Sequence, residues 1–139
     1  MISEKHIESV IAKMEAEGYE DNFALDQPIY WHYLNSENFK SLTESEHQLL
    51  FFINSVIFHS SEDFDFDMEE YELLEEGNWS IREANKSWAD TKNILFDNYD
   101  QEDLLAFVED MLVAEEGESI SEIAEEIIFI TSKSYIDLI

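Results

Sequence analysis

The chain has 139 residues, 45% of them apolar, and a formal net charge of −27 from 34 acids and seven Lys or Arg residues. This length matches one typical domain and the apolar content argues against intrinsic disorder, so we expect a single domain over residues 1–139. The charge disfavours direct binding to nucleic acid or to anionic membranes, and it favours a basic protein partner. The absence of cysteine excludes disulfides and thiolate metal sites.

Residues that form turns are scarce, with three glycines and one proline in the whole chain. An all-β fold needs turn signals about every 8–12 residues, so we predict an all-α fold. The expected architecture is a helical bundle of about five long helices plus one short helix. No apolar run approaches the roughly 20 residues of a membrane helix, and the first residues do not resemble a secretory signal. We therefore expect a soluble, cytoplasmic protein.

The first half of the chain is expected to form three helices. Residues 3–17 have apolar side chains at helical spacing, and a short helix is expected to follow Asp26 and to pack Ile29, Tyr33 and Leu34 on the core. Thr43 and Glu46 then match a capping box. The residues after this box are apolar on most sides, which predicts a central buried helix near residues 43–60.

The second half of the chain is expected to begin with a long helix near residues 67–96. One apolar seam keeps its phase through Gly77, which we interpret as a position that admits a close neighbour. A further helix should end near Gly117. Ser119 and Glu122 match a second capping box, which predicts a last helix that runs to the end of the chain.

The sequence Asp63-x-Asp65-x-Asp67 resembles the start of an EF-hand calcium loop. In that alignment Met68 occupies the glycine position and Leu74 occupies the position of the bidentate glutamate. Met68 disfavours the sharp turn and Leu74 has no oxygen ligand, so we predict no dedicated metal site here. We also predict no cofactor, because no other ligand set is complete.

Catalytic motifs are absent from the sequence. It contains no G-x-S-x-G, no H-E-x-x-H and no glycine-rich phosphate loop. Glu44 and His47 have the spacing of a di-iron helix pair, but such sites need two pairs and two further glutamates. We therefore expect that the protein is not an enzyme. The enzyme alternative predicts a concave pocket with convergent polar groups and a perturbed carboxylate.

The acidic charge favours a protein-interaction module that binds a basic partner, of an inhibitor, immunity or adaptor type. In one alternative the acids serve only solubility. A less favoured alternative is a carboxylate metal-binding protein. The charge opposes self-association through an apolar helix face unless the acids lie away from that face. If residues 63–67 are extended, Phe64 and Phe66 face the core while the acids face solvent. The candidate contact residues are Asp63, Asp65, Asp67, Glu69 and Glu70.

Overall fold

The computed structural model describes residues 1–16, 23–61, 64–113 and 120–139. These residues form eight α-helices, one 3-10 helix and no strand, which confirms the predicted all-α class. The helices are α1 (Glu4–Ala16), α2 (Phe23–Asp26), α3 (Pro28–Leu34), the 3-10 helix (Glu37–Phe39), α4 (Glu44–Ser60), α5 (Met68–Ala84), α6 (Trp88–Phe96), α7 (Glu102–Val113) and α8 (Glu122–Ile136). Within these ranges, no helix has the length and the apolar character that crossing a bilayer requires.

Helices α4 and α8 form the centre of the fold. Five consecutive residues of α4 are buried, Ile53–Ile57, in agreement with the predicted central helix. In α8 the buried run is longer and covers Ile128–Ile136. Helix α8 packs against α4, α5 and α7, so polar residues on every side of its second half are removed from water. The sequence predicts this helix but not its burial on every side.

Helix α3 joins the core through a different set of residues from the one predicted. Leu34 is buried and Tyr33 is half-buried, as expected, but Ile29 is 61% exposed. Tyr30 takes its place and is fully buried, stacked on Tyr135 of α8 at 3.9 Å between ring centroids. The prediction for Ile29 was wrong because Tyr30 can bury its ring while its hydroxyl donates a hydrogen bond.

The carboxylate of Glu46 connects the starts of the two central helices. It accepts a hydrogen bond from the backbone N–H of Thr43, while the Thr43 hydroxyl accepts one from the N–H of Glu46, which confirms the predicted capping box. Its other oxygen accepts from the N–H of Ser121, 3.2 Å away. Ser121 is the N-cap of α8 and accepts from Ala124. The N-cap of α8 is therefore two residues later than predicted, and Ala124 has no side chain that could complete a capping box with Ser121. The predicted N-cap, Ser119, lies outside the described residues.

The predicted long helix near residues 67–96 is two helices. Helix α5 ends at Ala84 and α6 begins at Trp88. Asn85 is extended, and its side-chain amide donates to the carbonyl of Ile81 at 2.7 Å, which satisfies a free carbonyl at the end of α5. The hydroxyl of Ser87 accepts from the N–H of Asp90 at 3.1 Å and caps α6. These two local hydrogen bonds end the helix even though the apolar seam keeps its phase.

Gly77 lies inside α5, so the prediction that the helix continues through this glycine was correct. The prediction of a close neighbour was wrong. A Cβ atom built on Gly77 would meet no atom within 4 Å. The residue is exposed and provides no close packing.

A buried polar network joins α5 and α8 to the turn after α6. The ammonium group of Lys133 lies 2.9 Å from Oδ2 of Asp137 and 3.0 Å from Oδ1 of Asn78. It also lies 4.7 Å from the ring centroid of Tyr99, whose hydroxyl donates to Asp137. The amide of Asn78 donates to Asp137 and to the hydroxyl of Ser134. Every charged atom of this network therefore has a partner, as burial requires.

Candidate functional site

Four of the five predicted contact residues lie at the start of α5. Asp65, Asp67, Glu69 and Glu70 are exposed, and Asp63 lies outside the described residues. Asp67 is the N-cap of α5, and its Oδ1 accepts from the N–H groups of Glu69, at 2.9 Å, and Glu70, at 3.3 Å. None of these four residues forms an ion pair within the described part of the chain. The structure therefore places them together as an exposed acidic row.

The segment that leads into this row is held by its phenylalanines. Phe64 lies 4.4 Å from Tyr135 and Phe66 lies 5.1 Å from Tyr30, between ring centroids. Both phenylalanines are half-buried while Asp65 is exposed. The predicted alternation is therefore confirmed over residues 64–67, and the two rings fix the acids on the outer side of the segment.

A pocket that was not predicted lies farther along α5. Its volume is about 240 Å³ and it opens between α3, the 3-10 helix, α5 and α8. The described lining residues are Tyr33, Asn38, Phe39, Glu75, Trp79, Ile127 and Thr131. Three aromatic rings and one carboxylate thus line a single concave site, which we call the Glu75 pocket.

The carboxylate of Glu75 is held by two tyrosine hydroxyls. The hydroxyl of Tyr33 is 2.8 Å from both carboxylate oxygens, and the hydroxyl of Tyr71 is 3.2 Å from one of them. The ring of Tyr71 packs edge-on against those of Tyr30 and Tyr33, at 5.3 and 5.4 Å. Tyr30 is in turn fixed by a hydrogen bond to Asn54. The orientation of Glu75 is therefore set by packed core residues.

Burial raises the pKa of Glu75 above its usual value, whereas the hydrogen bonds from Tyr33 and Tyr71 lower it and the charge of Glu72 raises it. Burial also raises the pKa values of Tyr33 and Tyr71, so both hydroxyls stay protonated and act as donors. Since the folded pKa of Glu75 lies above the unfolded one, the folded state binds this proton more tightly. Ionisation of the Glu75 carboxyl therefore lowers the free energy of unfolding as the pH rises from the unfolded pKa through the folded pKa.

Glu75 has no cationic partner in the described part of the chain. All seven Lys and Arg residues lie in the described ranges, and the ion pairs are Arg82–Glu126, Lys92–Glu109, Lys92–Glu125 and Lys133–Asp137. A carboxylate that is largely removed from water without a counterion is costly. The pocket therefore combines a negative charge with space for a positive group.

Glu44 and His47, which have the spacing of a di-iron helix pair, belong to no metal-binding cluster in the described part of the chain. His47 lies on the first turns of α4, and its Nε2 is 2.6 Å from the carbonyl oxygen of Leu34, to which it donates. Glu44 is exposed. Over the described ranges, no three His, Asp or Glu side chains are grouped so that they could hold a metal ion.

The Glu75 pocket has the features that the enzyme alternative predicts, namely concavity and a perturbed carboxylate. Its described lining, however, contains no second carboxylate and no histidine, lysine or arginine beside Glu75. Its tyrosines act as hydrogen-bond donors to the carboxylate instead. The arrangement presents a carboxylate with fixed orientation to the pocket, which is the chemistry that binds a cation.

The sequence contained one local signal for this pocket. Tyr71, Glu75 and Trp79 are spaced by four residues, so they lie on one face of α5. The apolar seam of the predicted long helix includes Leu74 and Ile81, and it lies on a neighbouring face of α5. No family model, curated protein or solved structure matches the chain.

Proposed function

We propose that this chain is an acidic protein-interaction module that binds a basic protein partner in the cytoplasm. The observation that carries the proposal is the uncompensated acidic row at the start of α5. Only three of the seven bases form ion pairs in the described part of the chain, and none of these pairs involves the row. The row is rigid, because Asp67 caps α5 and the adjacent phenylalanines pack on the core.

The physical basis of such binding is electrostatic attraction from a fixed surface. A surface of one charge sign raises the association rate of an oppositely charged partner, and this effect falls as salt screens the charges. Contact energy comes mainly from aromatic groups at the interface. Tyr33 of α3 and Trp79 of α5 are half-buried and line the same pocket as the carboxylate of Glu75. These two aromatic side chains can supply the contact energy.

The test neutralises the acidic row without disturbing the helix start. We expect the variant Asp65→Asn, Asp67→Asn, Glu69→Gln and Glu70→Gln to lose most of its binding to a basic protein that the wild type captures at about 0.1 M salt and releases at about 1 M salt. Asparagine caps a helix about as well as aspartate, so Asp67→Asn keeps the cap. The measurement is the amount of that basic protein retained on the immobilised chain.

The matched control carries four other neutralised acids. Glu8, Glu15, Glu44 and Glu122 are exposed, and the last two lie in the first turns of α4 and α8, as Glu69 and Glu70 do in α5. Changing these four to glutamine alters the net charge equally and should leave most of the capture intact. If the acids serve only solubility, both variants will behave like the wild type. That result, or capture that high salt leaves unchanged, contradicts the proposal.

A further inference from the structure

We infer that the Glu75 pocket receives a cationic side chain, an arginine or a lysine, and that Glu75 is its counterion. The inference rests on the proposed function for the origin of this side chain, a basic protein partner. The affinity of the pocket for an organic cation can nevertheless be measured without knowing the partner.

The carboxylate of Glu75 has acceptor capacity left. An ionised carboxylate offers about four lone-pair sites. The hydroxyls of Tyr33 and Tyr71 bring one hydrogen each, so roughly two sites stay open for an incoming donor. A guanidinium group can fill two such sites with parallel N–H groups, and an ammonium group can fill one or two. A cation would complete the hydrogen bonding of Glu75 and compensate its charge.

The walls of the pocket suit a cation that carries an apolar stem. Tyr33, Phe39 and Trp79 present aromatic rings, which attract cations over their faces and pack against methylene groups. Ile127 and Thr131 of α8 add methyl groups. The volume of about 240 Å³ is below the range of about 300–1,000 Å³ that is usual for drug-sized ligands. It therefore favours a single side chain over a larger cofactor.

The position of the pocket connects it with the acidic row. Glu75 follows Asp67 by eight residues, which is about 12 Å along the axis of α5. Glu72 and Glu76, both exposed, lie between and beside them. Glu75 lies about 80° around the helix from Asp67, so a basic segment of a partner that contacts Asp67 and Glu72 can place one side chain in the pocket at the same time.

The test titrates the protein with ethylguanidinium, with n-butylammonium and with the neutral analogue ethylurea. Binding is followed by the indole N–H resonance of Trp79 in proton–nitrogen NMR spectra. We expect saturable shifts with either cation and none with ethylurea at the same concentrations. Glu75→Gln should weaken cation binding about tenfold or more, because it removes a charge-assisted hydrogen bond. The matched control, Glu76→Gln, changes the charge equally on the exposed side of the helix and should bind like the wild type.

The outcomes separate this inference from the proposed function. If neither cation shifts Trp79, or if ethylurea binds as well as the cations, the inference is wrong whatever the acidic row does. Equal weakening by Glu75→Gln and Glu76→Gln also contradicts it, because the effect would then be one of net charge. If the cations bind as expected while the variant of the acidic row captures the basic protein normally, the inference stands and the proposed role of the row fails.

Discussion

Lys133→Met should lower the free energy of unfolding by about 3 kcal/mol, at the lower end of the cost of removing one partner from a buried ion pair. Lys133 is only 7% exposed and bonds both oxygens of Asp137, at 2.9 and 3.1 Å. Without it, the carboxylate of Asp137 keeps only the neutral donors Asn78 and Tyr99. The measurement is urea-induced unfolding followed by circular dichroism.

The control for this prediction is Lys86→Met. Lys86 is exposed and forms no ion pair in the described residues, so its loss should change stability little. The double variant Lys133→Met, Asp137→Asn should recover part of the lost stability, because no unpaired buried charge is left. If Lys133→Met unfolds at the same urea concentration as the wild type, the Lys133–Asp137 ion pair does not stabilise the folded state and the prediction is wrong.

Asn54→Ala should destabilise the protein by about 1–3 kcal/mol for the hydrogen bonds it removes, with a further cost for the cavity it leaves. Asn54 is fully buried in α4 and accepts from the hydroxyl of Tyr30 at 2.8 Å. Its amide donates to the carbonyl of Leu50 and to the hydroxyl of Ser132 in α8. One side chain therefore holds α3, α4 and α8 together, and the same unfolding measurement tests it.

A second variant separates the hydrogen bond from the packing. Tyr30→Phe in the Asn54→Ala background removes the buried hydroxyl that has lost its acceptor, so the double variant should be more stable than Asn54→Ala alone. Asn93→Ala, at an exposed position of α6, should have little effect. If the double variant loses the full cost of both single changes, the Tyr30–Asn54 bond contributes no coupling energy and the prediction is wrong.

The features that the sequence predicted well are local. The capping box of Thr43 and Glu46 lies within four residues, and the apolar pattern of α4 shows its burial directly. The break between α5 and α6 also has local causes, the caps Asn85 and Ser87. The sequence predicted one continuous helix instead, because the apolar seam keeps its phase across both helices. Two short polar caps decide the break, whereas periodicity decides only which face is buried.

Long-range contacts explain what the sequence did not predict. The second oxygen of Glu46 reaches Ser121, 75 residues away, and no local pattern indicates that contact. The burial of Ile128–Ile136 on all sides depends on which helices surround α8. The Glu75 pocket likewise needs α3 and α8 to close over one face of α5. The acidic row was predicted because exposure and charge can be inferred from a single segment.

Glu75 is, in this account, a half-buried carboxylate that has no cationic partner in the described part of the chain and accepts one from outside. The most direct measurement is the pKa of Glu75, from the pH dependence of its side-chain carboxyl resonance in carbon-13 NMR, with and without ethylguanidinium. The groups that face it are Tyr33, Tyr71 and Glu72. We expect a pKa above the usual glutamate value without the cation and a lower one with it, because an opposite charge favours the ionised form. An ordinary pKa that the cation leaves unchanged would contradict the claim.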